Sequence, residues 1–379
     1  MTSLYIHIPF CKQACHYCDF HFRTNRRQQA EMVAAIAQEA RLQADYLPSR
    51  HLQSLYLGGG TPSLLSEAEL SFLWQQIHEI YTLDAQAEIT LEANPDDLSN
   101  EKLDFYRALG INRLSIGIQT FHEDHLRFLN RAHNAQQARR VVEMAQQAGF
   151  SQISIDLIYG IPAPDHQIWR QDLAQALRLE VPHISAYCLT IEEKTVFGHW
   201  QRQQKLAPAS DDFAHTQFEM LREALLKAGY EHYEVSNFAH SGAYARHNTH
   251  YWQGKPYLGL GPSAHSYMPP TRQHNIANNS LYMAAIRAGE IPATQEVLSP
   301  QERMNEFILT RLRTTWGLDL QEWQQTFGFD FASARASVLT PWLEKGLVIL
   351  EKGKLRLRPE GLFLGDALCA DLFWETEES

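Results

Sequence analysis

Three cysteines spaced C-x3-C-x2-C, namely Cys11, Cys15 and Cys18, follow directly on the apolar run Leu4-Tyr5-Ile6-His7-Ile8-Pro9-Phe10. A loop of this kind at the end of a strand can close around one metal centre. Three thiolates are one fewer than a closed tetrahedral site or a fully thiolate-held [4Fe–4S] cluster needs. The spacing therefore admits a [4Fe–4S] cluster with one iron open to an exchangeable ligand. It equally admits zinc with His16 or His21 as fourth ligand, or three inert buried thiols. The remaining cysteines, Cys188 and Cys369, are isolated and read as small buried hydrophobes.

A second marked stretch is Gly58-Gly59-Gly60-Thr61-Pro62. It reads either as a flexible turn after a strand or as a place where bare main chain offers N–H and C=O groups to a ligand. Further marked groups are Glu92-Ala93-Asn94-Pro95, Gly117-Ile118-Gln119, Asp156-Leu157-Ile158-Tyr159-Gly160 and Ser185-Ala186-Tyr187.

All of these sit at or near the ends of predicted strands. After the first apolar run, the patterning predicts strands over 53–57, 88–92, 113–118, 151–157 and 183–189. Between them it predicts helices over 25–47, 66–81, 100–108, 134–148 and 166–178. Ala108-Leu109-Gly110-Ile111, Gln147-Ala148-Gly149-Phe150 and Lys227-Ala228-Gly229-Tyr230 repeat one helix-ending signature, glycine at C′ before the next strand. The class is α/β, with a parallel sheet built from six βα units, either open or curled into a barrel. Ligands gather at the carboxyl ends of such strands, so one face collects every marked group.

Residues 190–300 are less regular, with helices over 211–228 and 279–288, a strand over 230–235 and a Gly/Pro-rich loop over 254–262. From about 300 the chain reads as a small, mostly helical, winged-helix-like domain with a hairpin around Lys352-Gly353-Lys354. The division is 1–237 for the core, 238–299 for a connecting region and 300–379 for the C-terminal domain.

A net charge of −11, with no Lys/Arg run longer than two, argues against a nucleic-acid partner. No stretch approaches the ~18 apolar residues of a spanning helix. The first ten residues lack a charged n-region and a cleavage site, which points to a cytoplasmic protein.

The cysteine triad after a first strand and the GGGTP turn after a second resemble the radical S-adenosylmethionine superfamily. Leu4–Cys11, Glu92, Gly117–Phe121, Asn130-Arg131 and Asp156–Pro162 narrow the resemblance to the oxygen-independent coproporphyrinogen III oxidase family, over nearly the whole chain. Two departures point to its haem chaperone branch: Cys18-Asp19-Phe20 lacks the further cysteine of the oxidase, and the first strand begins at Ser3 without the oxidase's extension. His247-Asn248-Thr249-His250-Tyr251-Trp252 matches that branch's HNxxYW pattern.

The resemblance implies a partial (β/α)6 TIM-like barrel in which Cys11, Cys15 and Cys18 hold a [4Fe–4S] cluster. It further implies that Tyr5, Gly59, Gly60, Thr61, Glu92, Gln119, Arg131, Asp156 and Ala186 contact S-adenosylmethionine. Arg131 would face the methionine carboxylate, Asp156 and Gln119 the ribose, and Glu92 the amino group or sugar. His247, His250, Tyr251 and Trp252 would bind haem, delivered to haem-requiring proteins including membrane respiratory enzymes, with room for a homodimer. No residue is assigned a catalytic role, and oxygen-independent coproporphyrinogen III oxidation is the alternative activity.

Overall fold

Side-chain alternation decides the architecture. In β1 (Ser3–Ile8), Leu4, Ile6 and Ile8 join one apolar core with Met32, Val33 and Ile36 of α1 (Gln29–Leu42), while Ser3, Tyr5 and His7 lie on the opposite face. The structure is a computed structural model describing residues 2–375. β2 (His51–Gly59), β3 (Thr82–Ala93), β4 (Arg113–Gln119), β5 (Gln152–Tyr159) and β6 (His183–Cys188) follow β1 in chain order, each parallel to the last.

The crossovers are α2 (Glu67–Ile80), α3 (Asn100–Ala108), the pair α4 (Glu123–Phe128) and α5 (Ala135–Gln147), and α6 (Gln167–Arg178). Their starts are written locally. Ser66 with Glu69 and Asn134 with Gln137 each form a reciprocal capping box. The repeated helix-ending glycines Gly110, Gly149 and Gly229 all take positive φ, as the signature predicts.

The inner face of this partial barrel is polar. Ser3, Ser54, Glu88, Arg113, Ser154 and His183 are all buried there, where an ordinary barrel packs branched apolar residues. A short helix, α9, completes their hydrogen bonds. It follows α7 (Val196–Arg202), α8 (Asp211–Lys227) and the strands β7 (Glu231–Glu234) and β8 (Asn237–Ala239), and spans Arg246–Trp252. The Glu88 carboxylate accepts the N–H groups of Arg246 and His247, both at 2.9 Å, so it caps the helix.

Residues 238–299, read from sequence as a connecting region, add strands to the main sheet. β9 (Tyr257–Leu260) pairs in parallel with the outer side of β1, and β10 (His265–Met268), β11 (Thr271–Asn275) and β12 (Ala293–Val297) extend it antiparallel. The order is β12-β11-β10-β9-β1-β2-β3-β4-β5-β6-β8-β7. β9 lies in the stretch predicted to be a loop, and α9 has no counterpart among the predicted helices.

The extension is fastened by one carboxylate. Glu39 of α1 accepts hydrogen bonds from Tyr282 of α10 (Asn279–Arg287) at 2.6 Å, Gly261 N at 2.7 Å, Asn275 Nδ2 at 2.6 Å and Gln43 Nε2 at 2.8 Å. Burial pushes its carboxyl up to about 6 despite these donors.

The C-terminal domain packs its own core around Ile308, Trp323 and Phe331. It comprises α11 (Pro300–Leu312), β13 (Leu318–Asp319), α12 (Leu320–Phe327), α13 (Phe331–Ala334), α14 (Ala336–Glu344), β14 (Val348–Glu351) and β15 (Lys354–Leu357), followed by two short helices. The three strands form the wing of a winged-helix-like fold, in the order β13-β15-β14.

Replacing Glu39 with Ala leaves four buried donors unmet. The expected cost is about 3 kcal/mol or more, read from urea unfolding. Glu39→Gln, which keeps the side-chain bulk and one acceptor oxygen, should lose less; equal losses would show that neither the retained packing nor one acceptor stabilises the fastening without the second oxygen.

Candidate functional site

The cysteine loop is held by contacts distant in sequence. Cys11 N donates to Arg23 O at 3.0 Å and His16 N to Leu129 O at 3.1 Å. Asn130, in the left-handed region at φ 58°, accepts from Gln13 at 2.5 Å and donates to Ala14 O at 2.7 Å. Arg131 follows it into the barrel: Nη1 lies 3.3 Å from Cys15 Sγ, and Nη2 donates to Asn94 Oδ1 at 2.5 Å and Gly117 O at 2.7 Å. Thr61 Oγ1 lies 3.5 Å from Cys11 Sγ. The sequence motifs of four different strand ends therefore meet at the thiols.

Cys11, Cys15 and Cys18 line a cavity of about 440 Å³, within the range of cofactor sites. Gly59, Gly60, Thr61, Glu92, Gln119, Arg131 and Asp156 line it too, so seven of the nine residues expected at S-adenosylmethionine come together. The other two stand apart. Tyr5 borders a neighbouring cleft, and Ala186 is buried in β6 with its N–H bonded to Ser236 O at 2.8 Å.

The glycine run has a backbone reason. Gly59 takes φ +102°, and a Cβ on Gly60 would come within 2.6 Å of the carbonyl oxygens of Ile8 and Phe10. Its N–H groups are not free for a ligand: Gly59 N donates to Glu92 Oε2 at 3.1 Å and Gly60 N to Ile8 O at 2.9 Å.

The cavity carries two buried carboxyls and is short of positive charge. Burial lifts Glu92 to about 7, against a hydrogen bond from Tyr56 and with the charge of Asp156 adding to the rise. Burial lifts Asp156 to about 6, opposed by Ser185, Ser115 and Arg131. The Arg131 guanidinium is directed at a thiol and two oxygens rather than at either carboxyl. A ligand bearing cationic centres and hydroxyl donors would satisfy both acids, and S-adenosylmethionine has an ammonium, a sulfonium and a ribose.

Burial also raises the thiols, Cys11 to about 12 and Cys18 to about 11, so ligation by iron would supply the compensating charge. Among the described residues no three His, Cys, Asp or Glu side chains are placed to hold a single metal ion. The thiols surround a space, which suits a cluster that takes each thiolate on a different iron. The zinc alternatives turn elsewhere: His16 Nδ1 is 2.9 Å from Phe128 O with its ring on Trp200, and His21 Nε2 is 2.6 Å from Asn279 Oδ1.

Asn94, Ser115, Tyr56 and Tyr187 were not singled out as site residues. Asn94 bridges Arg131 and Thr61, Ser115 and Tyr56 contact the two carboxyls, and Tyr187 lines the cavity. Asn94, Ser115 and Tyr56 share the inner-face strand register of Glu92 and Asp156 or follow directly on it, a signal that alternation could have supplied. Cys188 departs from its reading as a buried hydrophobe: it is exposed and lines the cavity, whereas Cys369 is buried.

The HNxxYW residues lie in α9 and largely inside the barrel. His247 is 1% exposed, with Nδ1 2.9 Å from Ser54 Oγ and Nε2 2.6 Å from the Tyr251 hydroxyl, so both ring nitrogens are engaged. His250 is buried with Nδ1 2.7 Å from Ser3 Oγ. Neither lines the cavity or the two clefts beside it, whereas Tyr251 and Trp252 both do face a cleft.

The family profile of the Radical SAM superfamily matches residues 5–170, and that of the HemN C-terminal domain matches 298–364. The chain is 34% identical to a Bacillus subtilis protein named Heme chaperone HemW, over 97% of both chains. It is also 34% identical to the Bos taurus protein named Radical S-adenosyl methionine domain-containing protein 1, mitochondrial, over 100% of this chain and 88% of that one. The solved structure of Escherichia coli coproporphyrinogen III oxidase (HemN), described as a radical SAM enzyme, superposes with a TM-score of 0.85 at 25% identity, covering 98% and 90% of the two chains.

The raised carboxyls set a pH dependence. Unfolded, both acids release their protons at about pH 4; folded, Asp156 holds its proton to about 6 and Glu92 to about 7. The folded chain thus binds more protons across that window, and the stability of the ligand-free chain falls as pH rises through it. Urea midpoints from about pH 5 to 8 should decline, and Glu92→Gln should flatten the upper part of the decline. An unaltered profile in that variant would remove Glu92 as a cause.

Proposed function

The chain belongs to the HemW family of the radical SAM superfamily, and we propose that it binds a [4Fe–4S] cluster and S-adenosylmethionine in the barrel cavity and carries haem to proteins that require it. The observation that carries the haem reading is the match, along 97% of both chains, to a protein named as a heme chaperone. The cofactor reading rests on three thiols and two cation-deficient carboxyls around one cavity.

When bound, the cluster and S-adenosylmethionine supply one-electron reductive chemistry at a sulfonium. The chain's own residues hold and shield. Cys11, Cys15 and Cys18 ligate the cluster, and Arg131 places a positive charge beside the Cys15 thiolate. Glu92 and Asp156 accept from the ammonium and ribose hydroxyls, and Gln119, held at φ +67°, turns its amide into the same space. The site of action is the cytoplasm. Contact with membrane respiratory enzymes, in this reading, is protein to protein; no described helix is long and apolar enough to cross a membrane.

A second reading, oxygen-independent coproporphyrinogen III oxidation, is favoured by the superposition on the solved oxidase. Phe20, standing where the resemblance places a further cysteine in that enzyme, weighs against it.

Anaerobic reconstitution with iron and sulfide, followed by analysis for iron, sulfide, zinc and haem, separates these readings. The expected result is roughly four iron and four sulfide per chain, lost in Cys18→Ala, with stoichiometric haem binding and no carbon dioxide released from coproporphyrinogen III. Release of carbon dioxide with formation of protoporphyrinogen would establish the oxidase reading. A colourless, zinc-retaining protein would remove the cluster.

A further inference from the structure

Of the two histidines of the HNxxYW pattern, His247 has both ring nitrogens engaged and His250 has Nδ1 on Ser3, and neither lines the cavity or its neighbouring clefts, which leaves open what faces haem iron. Two other histidines are placed to do so. His265 of β10 and His274 of β11 are directly paired across the hairpin, their rings 5.5 Å apart and inclined by 28°. Both are exposed, and both line a cleft of about 840 Å³ between this hairpin and α11 and α12 of the C-terminal domain.

The rest of the cleft suits a flat, largely apolar dianion. Tyr257 and Tyr267 on the sheet side face Phe307 and Phe327 on the helical side, with Tyr251 and Trp252 at one end. The acids that line it are already paired: Glu296 and Glu306 with Arg272, and Glu322 with Arg311. Two further cations on its wall, Lys255 and Arg303, have no ion pair among the described residues. The cleft therefore offers two unspent positive charges to two carboxylates.

From this juxtaposition, and resting on the haem-carrying reading above, we propose that haem occupies the cleft between the β10–β11 hairpin and α11–α12. The His265–His274 pair supplies imidazole to the iron, and Lys255 and Arg303 meet the propionates. Partial burial, the adjacent His274 and Arg272 lower the pKa of His265, which keeps its ring in the neutral form that iron requires. Tyr251 and Trp252 of the HNxxYW pattern then contribute ring surface, while His247 and His250 position α9 from inside the barrel.

The test is titration of the full-length chain with ferric haem, followed by Soret absorbance and electron paramagnetic resonance. Three variants are compared with the unaltered chain: H265A/H274A, K255E/R303E and Ser54→Ala, the last loosening His247 without touching the cleft. The expected result is that H265A/H274A loses the imidazole-ligated signature and binds haem at least about tenfold more weakly, yet binds metal-free protoporphyrin nearly as well as the unaltered chain. K255E/R303E should weaken both porphyrins and leave the signature intact, and Ser54→Ala should keep haem binding.

If the unaltered chain binds haem and H265A/H274A retains its spectrum and affinity, the cleft assignment is overturned while the chaperone reading stands. Failure of the unaltered chain to bind haem overturns both. His265, His274 and Arg303 are exposed, Lys255 is half-buried in the loop before β9 and Ser54 is buried, so cluster content with circular dichroism verifies the fold of each variant. Should H265A/H274A fail that check, an unchanged haem affinity in K255E/R303E overturns the assignment by itself.

Discussion

A parallel barrel whose strands point polar side chains inward must satisfy every one of those groups without bulk water, and this constraint shapes the whole molecule. Alternation puts Leu4, Ile6 and Ile8 against the helices and leaves Ser3, Tyr5 and His7 inside, and it repeats with Ser54, Glu88, Arg113, Ser154 and His183. At the amino ends of the strands α9 meets the demand. His247 and His250 engage Ser54 and Ser3, Glu88 caps the helix, and His183 sits between Ser154 and Tyr233, 2.7 Å from each. At the carboxyl ends Glu92 accepts from Tyr56 and Gly59 N and Asp156 from Ser115, yet neither has an ion-pair partner among the described residues and their carboxyls stay raised. The difference between the two ends of one polar interior is what marks the upper one as a ligand site.

The thiols depend on that interior through Arg131. Its half-buried guanidinium is joined to Cys15, Tyr17, Asn94 and Gly117, and so links the cysteine loop to the third and fourth strand ends. Asn130 beside it closes the loop from outside. Two consecutive residues, Asn130 in the left-handed region and Arg131 after it, thus hold the loop against the ends of the paired strands β3 and β4. Local spacing defines the ligands, while long-range packing defines where they point.

The βα alternation was legible because its periodicity is local and each helix carries its own boundary: Ser66 and Asn134 start helices, and Gly110 and Gly149 end them. The outer strands were not. β9 is four residues long, lies among glycines and prolines, and pairs with β1 some 250 residues earlier, so nothing in its neighbourhood announces a strand. That Cys11, Cys15 and Cys18 lie together could be read from spacing, and that seven of the nine residues expected at S-adenosylmethionine share their cavity could be read from resemblance. Asn94 stood in a marked strand end, but its role was not legible, because it lies in bridging Arg131 and Thr61 across three loops. The placement of the α9 histidines was not legible for a different reason. A motif records that residues occur together, not whether their nitrogens face a ligand or the barrel wall, and His247 uses both of its nitrogens on Ser54 and Tyr251.

The cavity and the C-terminal cleft are not independent spaces. A third cleft of about 390 Å³ lies between them; it shares Asp19, Phe20, Gly59 and Glu92 with the cavity, and Tyr251, Tyr257 and His265 with the C-terminal cleft. Phe20 is 68% exposed, far from the usual state of a large aromatic side chain, and stands where the cysteine loop meets this passage. Any rearrangement of that loop on taking up a cluster must move a wall of the passage. The cavity and the C-terminal cleft share no wall directly, so any coupling between ligands in them would run through this passage and would be reciprocal: whatever a loaded cavity did to affinity in the cleft, a filled cleft would do to affinity in the cavity.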